Sequence, residues 1–156
     1  MGTSTSSRKR SLPKGLLAGL VGGIVGAGAI LIAEEIFPPR THGEPAPLAV
    51  LASRASDKPP AATAPPGWQA LHWAVGALAG GIYGVAAEVE PSLAAWRGAA
   101  FGIALNRITH ESLLPRMGLA PSKEEQSTQA RVSNWISHAA YGVATDSVRR
   151  VVRRLL

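Results

Sequence analysis

Residues 67–90 read GWQALHWAVGALAGGIYGVAAEVE, an apolar run dense in glycine, with a histidine near one end and carboxylates at the other. On a helix, residues four apart share one narrow face, and here that face is His72, Gly76, Gly80, Gly84 and Glu88. Three other apolar stretches repeat the pattern. The first gives Gly22, Gly26, Ile30 and Glu34; the third gives Gly98, Gly102, Asn106 and His110; the fourth gives Asn134, His138, Gly142 and Asp146. Small residues at this spacing let helix backbones approach closely inside a membrane, while polar side chains turn toward protein instead of lipid. The pattern predicts an all-α chain, a small four-helix transmembrane bundle whose Gly-rich stripes face one another.

Composition agrees with that architecture. Hydrophobic residues make up 46% of the 156 and charged residues 17%, against about a quarter charged in soluble proteins. Mean hydropathy is only +0.12, because polar tails and a Pro-rich loop are averaged with the apolar spans. The chain has no cysteine, which excludes disulfides, thiolate nucleophiles and Cys-based metal sites; no cofactor is expected. The net charge is +6, and its placement is informative. Arg8, Lys9, Arg10 and Lys14 precede the first apolar run, and Arg149, Arg150, Arg153 and Arg154 follow the last. Basic flanks mark the cytoplasmic side of a span, so both termini are expected there, with the basic tails against anionic lipids. Nucleic acid is not an expected partner, since no aromatic interleaving or recognition motif accompanies the basic runs. A homo-oligomer is compatible with the pattern.

Taken in order, residues 1–13 are polar and without period, a basic cytoplasmic tail expected to be disordered. The membrane domain is expected over 14–150, with spans near 15–37, 67–89, 92–114 and 131–149. Gly15 to Ala33 is uncharged and about 28 Å long at a helical rise of ~1.5 Å per residue, enough to cross a bilayer. A cleaved signal peptide is the alternative, but no small-residue cleavage pair precedes Glu34. Residues 38–66 form an external Pro-rich loop with at most a short surface helix around Leu48 to Ala55. The third span is the shortest in apolar terms, since Arg97 and Arg107 leave only Gly98 to Asn106 uncharged. Residues 150–156 make a basic cytoplasmic tail. The first and second spans echo each other (Gly22 with Gly80, Gly26 with Gly84), as do the second and fourth (Tyr83 with Tyr141, Gly84 with Gly142); such short matches are also what glycine bias produces.

Two sets of polar residues are candidates for chemistry. With both termini on one side, Glu34, His72, Asn106, His110, Glu111 and His138 fall at the opposite membrane level. Histidine titrates near neutral pH and is a common metal ligand, so this group could sense protons, relay them or bind a metal. It could equally satisfy interhelical hydrogen bonds, and no HExxH spacing decides among these readings. At the other level Glu88, Asp146 and Arg97 are candidates for ion pairs that fix helix register. The runs GLVGGIVGAG and GALAGGIYG lack the strand that a dinucleotide loop requires. Helix packing is assigned to Gly22, Gly26, Gly76, Gly80, Gly84, Gly98, Gly102 and Gly142.

The segments AEEIFPPR (33–40), AEVEP (87–91), WRG (96–98) and LPRMGLAP (114–121), together with His72, His110, His138 and Asp146, resemble the YagU-like bacterial inner-membrane proteins, a family of unknown function. The resemblance runs from about Lys14 to Arg150 and implies a small multi-spanning bundle in the bacterial inner membrane. It supplies no catalytic residue. The expected function is accordingly non-enzymatic, an integral membrane protein with an envelope or acid-stress role; a small transporter or a proton or metal channel is the alternative.

Overall fold

Pro13 sits in the first turn of α1 (Leu12–Ile36), where a missing N–H costs no helical bond, so the helix begins ahead of the expected residue 15. It ends where the Phe37 N–H makes the last bond, to the Ala33 carbonyl at 2.9 Å, because Pro38 and Pro39 have no donor to continue. The computed structural model describes residues 10–40, 44–56 and 67–156; most of the expected 1–13 tail and part of the 38–66 loop lie outside the described residues. Within that loop α2 (Pro47–Ser56) forms, close to the anticipated surface helix. The expected second span is the helix α3 (Trp68–Val89), which stops before Pro91.

The third stretch is not the single helix expected over 92–114. Glu90 accepts the Ser92 N–H at 3.1 Å and opens a 3-10 segment, Pro91–Gly98. The Ser92 hydroxyl and N–H hold the Glu90 carboxyl below the usual carboxylate range. The chain then turns through three consecutive left-handed residues, Trp96 (φ 51°), Arg97 (φ 54°) and Gly98 (φ 84°). That conformation costs a non-glycine residue about 1–2 kcal/mol, and it is held where Gly98 meets the Gly142 backbone. Next come α4 (Ala99–Ile108), one π turn (Thr109–Leu113) and the short α5 (Leu114–Arg116). Pro115 explains the π turn: without an N–H it cannot bond the Glu111 carbonyl, and the Leu114 N–H reaches back to Thr109 O. Finally α6 (Thr128–Leu155) is capped by Ser127, whose Oγ accepts the Ala130 N–H at 3.1 Å. It is longer at both ends than the expected 131–149, and the basic tail continues it as helix.

The glycines determine the packing order. On α1, Gly15, Gly19 and Gly23 lie against Gly84, Gly80 and Gly76 of α3, so the two run antiparallel; a Cβ on Gly80 would stand 2.5 Å from Gly23 Cα. A neighbouring face of α1, Gly22 and Gly26, receives Thr145 and Tyr141 of α6. On the far side of α6, Gly98 and Gly102 of the third stretch meet Gly142 and the His138 carbonyl. Thus α1 stands between α3 and α6, and α4 lies on α6. The four stripes do not all face one another. They close in pairs, because α1 needs two smooth faces to hold two neighbours, and adjacent glycines about 100° apart, Gly22 and Gly23, provide them. Tyr83 of α3 and Phe101 of α4 stack at 4.3 Å, completing the ring of contacts.

Burial is the reverse of a water-soluble core. Apart from Tyr83 and Tyr141, the fully buried side chains are small or polar, among them Ala18, Asn106, Ser137, Thr145 and Asp146. Large apolar residues face outward: Ile32 is 66% exposed, Leu78 60% and Ile82 61%. Two helices, Leu12–Ile36 and Trp68–Val89, are long and apolar enough to cross a membrane. Among the described residues the structure is all-helical.

Candidate functional site: a histidine-lined cavity

Antiparallel packing gathers the C-terminal end of α1, the N-terminal ends of α3 and α6, and the π turn at one end of the bundle, distal to the chain termini. There a partly open cavity of about 310 Å³ is formed, lined among others by Leu31, Leu48, Leu51, Val75, Leu105 and Leu113. Helix α2 contributes part of its wall. Arg54 of α2 donates to the carbonyls of Met117 at 3.0 Å and Gly118 at 2.8 Å, tying α2 to the turn after α5.

His72, His110 and His138 all line this cavity, with Glu34 and Arg40. The rings of His110 and His138 stand edge to face with centroids 4.9 Å apart, whereas His72 packs between Trp68 and Trp73. His72 Nε2 donates to the Ala27 carbonyl at 3.1 Å, and His138 Nδ1 to the Asn134 carbonyl at 2.8 Å. A carbonyl only accepts, so these bonds fix the tautomers and leave His72 Nδ1 and His138 Nε2 as acceptors in the neutral rings. Two further hydroxyls of the wall are also committed: Thr109 donates to Leu105 O at 2.8 Å and Tyr141 to Gly76 O at 2.7 Å.

The other members of the expected group stand elsewhere. Glu34 pairs with Arg40 at 2.8 Å, not with a histidine. Glu111 accepts the Trp135 indole N–H at 2.9 Å and lies 3.6 Å from Lys123; it is drawn off the cavity by the π turn. Asn106 is buried with no hydrogen-bond partner for its amide among the described residues and is not among the cavity's wall residues. No group of three His, Asp or Glu side chains among the described residues stands close enough to hold a metal ion.

At the terminal end, where α1 begins and α6 finishes, the carboxylates are fully engaged. Asp146, 0% exposed, accepts from Arg149 at 2.7 Å, Arg150 at 2.5 Å and the Tyr83 hydroxyl at 2.9 Å. Glu88 pairs with Arg153 at 2.7 Å and accepts the Ser11 N–H at 3.0 Å, joining α3 to α6 and to the start of α1. The Lys14 ammonium reaches the Leu156 carbonyl. Arg97, the expected cation, makes no salt bridge among the described residues. The left-handed turn puts it on an exposed edge, while arginines three and four residues after Asp146 reach that carboxylate from the same helix.

Sequence reasoning missed Tyr83, Arg149 and Arg153 as partners of the acids, and Arg40 and Arg54 at the distal end. The i+3 and i+4 spacing from Asp146 was a usable signal for Arg149 and Arg150. Nothing local foretells that Arg54 would meet Met117 and Gly118. No curated protein and no solved structure matches the chain. One family model does, over residues 20–147, a stretch that holds all three cavity histidines and Asp146. With well over half of its length matched, and in keeping with the resemblance read from its segments, the chain belongs to the family described as "Protein of unknown function (DUF1440)".

Proposed function

We propose that the protein is an integral membrane protein of the bacterial inner membrane, non-enzymatic, built as a four-segment bundle with both termini cytoplasmic and the histidine-lined cavity toward the envelope. One observation carries this reading: polar and small groups are buried while Ile32, Leu78 and Ile82 face outward. In water such a surface would expose far more contiguous apolar area than soluble monomers tolerate; in lipid it is the expected arrangement. The basic residues around Arg10, Lys14 and Arg149 to Arg154 then meet anionic headgroups. An envelope or acid-stress role is the finer form of the reading, and it rests on the paired rings of His110 and His138. The alternative, a transporter or proton channel, needs a polar path from the cavity to Asp146. Between them Tyr141 is tied to a backbone carbonyl and Gly142 is closed against Gly98, which favours the non-conducting reading.

Membranes containing the protein should retain it through alkaline carbonate extraction. Reporters fused after Leu156 should be active only in the cytoplasm, and reporters placed near Ser56 only in the periplasm. Release by carbonate would overturn membrane integration, and the reverse reporter pattern would overturn the orientation.

A further inference from the structure

Inside the distal cavity, hydrogen-bond donors are scarce and acceptors remain. His72, His138, Thr109 and Tyr141 each give their hydrogen to a backbone carbonyl, and Glu34 and Arg40 neutralise each other. What the wall still offers is the acceptor nitrogens of His72 and His138 and, beside the latter, the His110 ring, which when neutral carries one N–H donor and one acceptor and has no hydrogen-bond partner among the described residues. Around them the wall is almost entirely apolar. A cavity of about 310 Å³ falls at the lower bound of small-molecule sites, which run from about 300 to 1,000 Å³. Its complement is a molecule with an apolar body and a neutral donor. A carboxylate or phosphate finds no unpaired cation, and an ammonium would be desolvated without a counter-ion. The remaining common neutral group is a hydroxyl, which can donate to one of these ring nitrogens and accept the His110 N–H.

We propose that this cavity binds a neutral, hydroxyl-headed amphiphile from the membrane, its hydroxyl donating to His72 Nδ1 or His138 Nε2 and its chain lying among Leu48, Leu51, Leu105 and Leu113. The proposal rests on the membrane reading, since the bilayer is the source of the ligand. Helix α2 supplies part of the wall and is tied through Arg54 to the turn after α5, away from the glycine seams.

The full-length protein in lipid nanodiscs is irradiated with a long-chain fatty alcohol carrying a photoreactive diazirine, and the adducts are mapped by mass spectrometry. Peptides containing Leu51 and Trp68 should be labelled. Unlabelled fatty alcohol should compete better than the matching alkane or the matching fatty acid by about fivefold, the worth of one net hydrogen bond. The double variant His72→Phe/His138→Phe should erase that preference, and the two single variants show which ring accepts the hydroxyl. A prenol and a diacylglycerol, competed separately, distinguish the two natural sources of the head. Failure of both, equal competition by the alkane, or stronger competition by the acid would overturn the proposal. Leu51→Trp fills the cavity from its α2 wall while every histidine and glycine is retained; it should abolish labelling, and labelling that persists would place the adduct elsewhere. Carbonate extraction of the membranes from which the protein is purified separates the two failures, because loss of membrane retention overturns integration whatever the labelling shows.

Discussion

Both ends of the bundle bury polar groups, to different effect. At the terminal end Glu88 meets Arg153 and Asp146 meets Arg149 and Arg150, so charge and hydrogen bonds close within the protein. At the distal end His72 and His138 spend their N–H groups on carbonyls and leave acceptors facing an apolar space. A closed network fixes helix register, whereas an open one keeps capacity for a molecule from outside. Polar residues at the ends of similar helices thus do different things, and what separates them is whether a partner of opposite character lies within reach.

The sharpest way to break this comparison is to remove one partner from each end. Asp146→Ala leaves the buried Arg149 without its carboxylate and should cost about 3–5 kcal/mol of unfolding free energy in detergent, the usual penalty for breaking a buried pair. His138→Phe, which removes one hydrogen bond and keeps an aromatic ring, should cost about 1 kcal/mol. Equal losses would mean that the distal histidines are as structural as the acid.

A smaller effect is expected at Glu88. Its two oxygens are shared between Arg153 and the Ser11 N–H, and Gln retains one carbonyl acceptor at the same place. Glu88→Gln should therefore lose only the charge-assisted part, about 1–2 kcal/mol, and the loss should shrink when Arg153 is already Met. A full loss in that background would show that Glu88 acts through Ser11 instead.

Much of this comparison was legible in the residues themselves. Period-four glycines marked the surfaces along which helices touch, because only a missing Cβ permits backbones that near. The same reasoning overlooked Gly15, Gly19 and Gly23, although they share the spacing: one stripe per helix was assumed, and a helix between two neighbours needs two. The level of His72, His110 and His138 followed from the alternation of helix directions alone. Their individual partners did not, since tautomers and ring contacts depend on carbonyls such as those of Ala27 and Asn134. The broken third stretch was half visible. Pro91 and the short uncharged run from Gly98 to Asn106 indicated a weak helix, but positive φ at Trp96 and Arg97 is imposed by the approach of Gly98 to Gly142, a tertiary effect without a local signature.

The smallest expected effect tests how loosely the distal end is closed. Arg54 holds α2 through two hydrogen bonds, to Met117 O and Gly118 O, and the second carbonyl is presented by a left-handed glycine at φ 64°. The contact is exposed, so its net worth is below about 1 kcal/mol, too little to move global unfolding measurably. It should nevertheless govern local opening, because α2 touches the bundle mainly through α3 and the side chains of Leu48 and Leu51. In Arg54→Ala, amide hydrogen exchange over residues 47–56 should accelerate by about fivefold while α1 and α3 stay unchanged, as expected when one weak unit opens independently of the rest. Arg54→Lys should fall between the two, since a single ammonium cannot span two carbonyls as a planar guanidinium does. Unchanged exchange in the alanine variant would mean that burial of Leu48 and Leu51 alone holds α2 in place, and that the cavity is covered as firmly as the terminal end is paired.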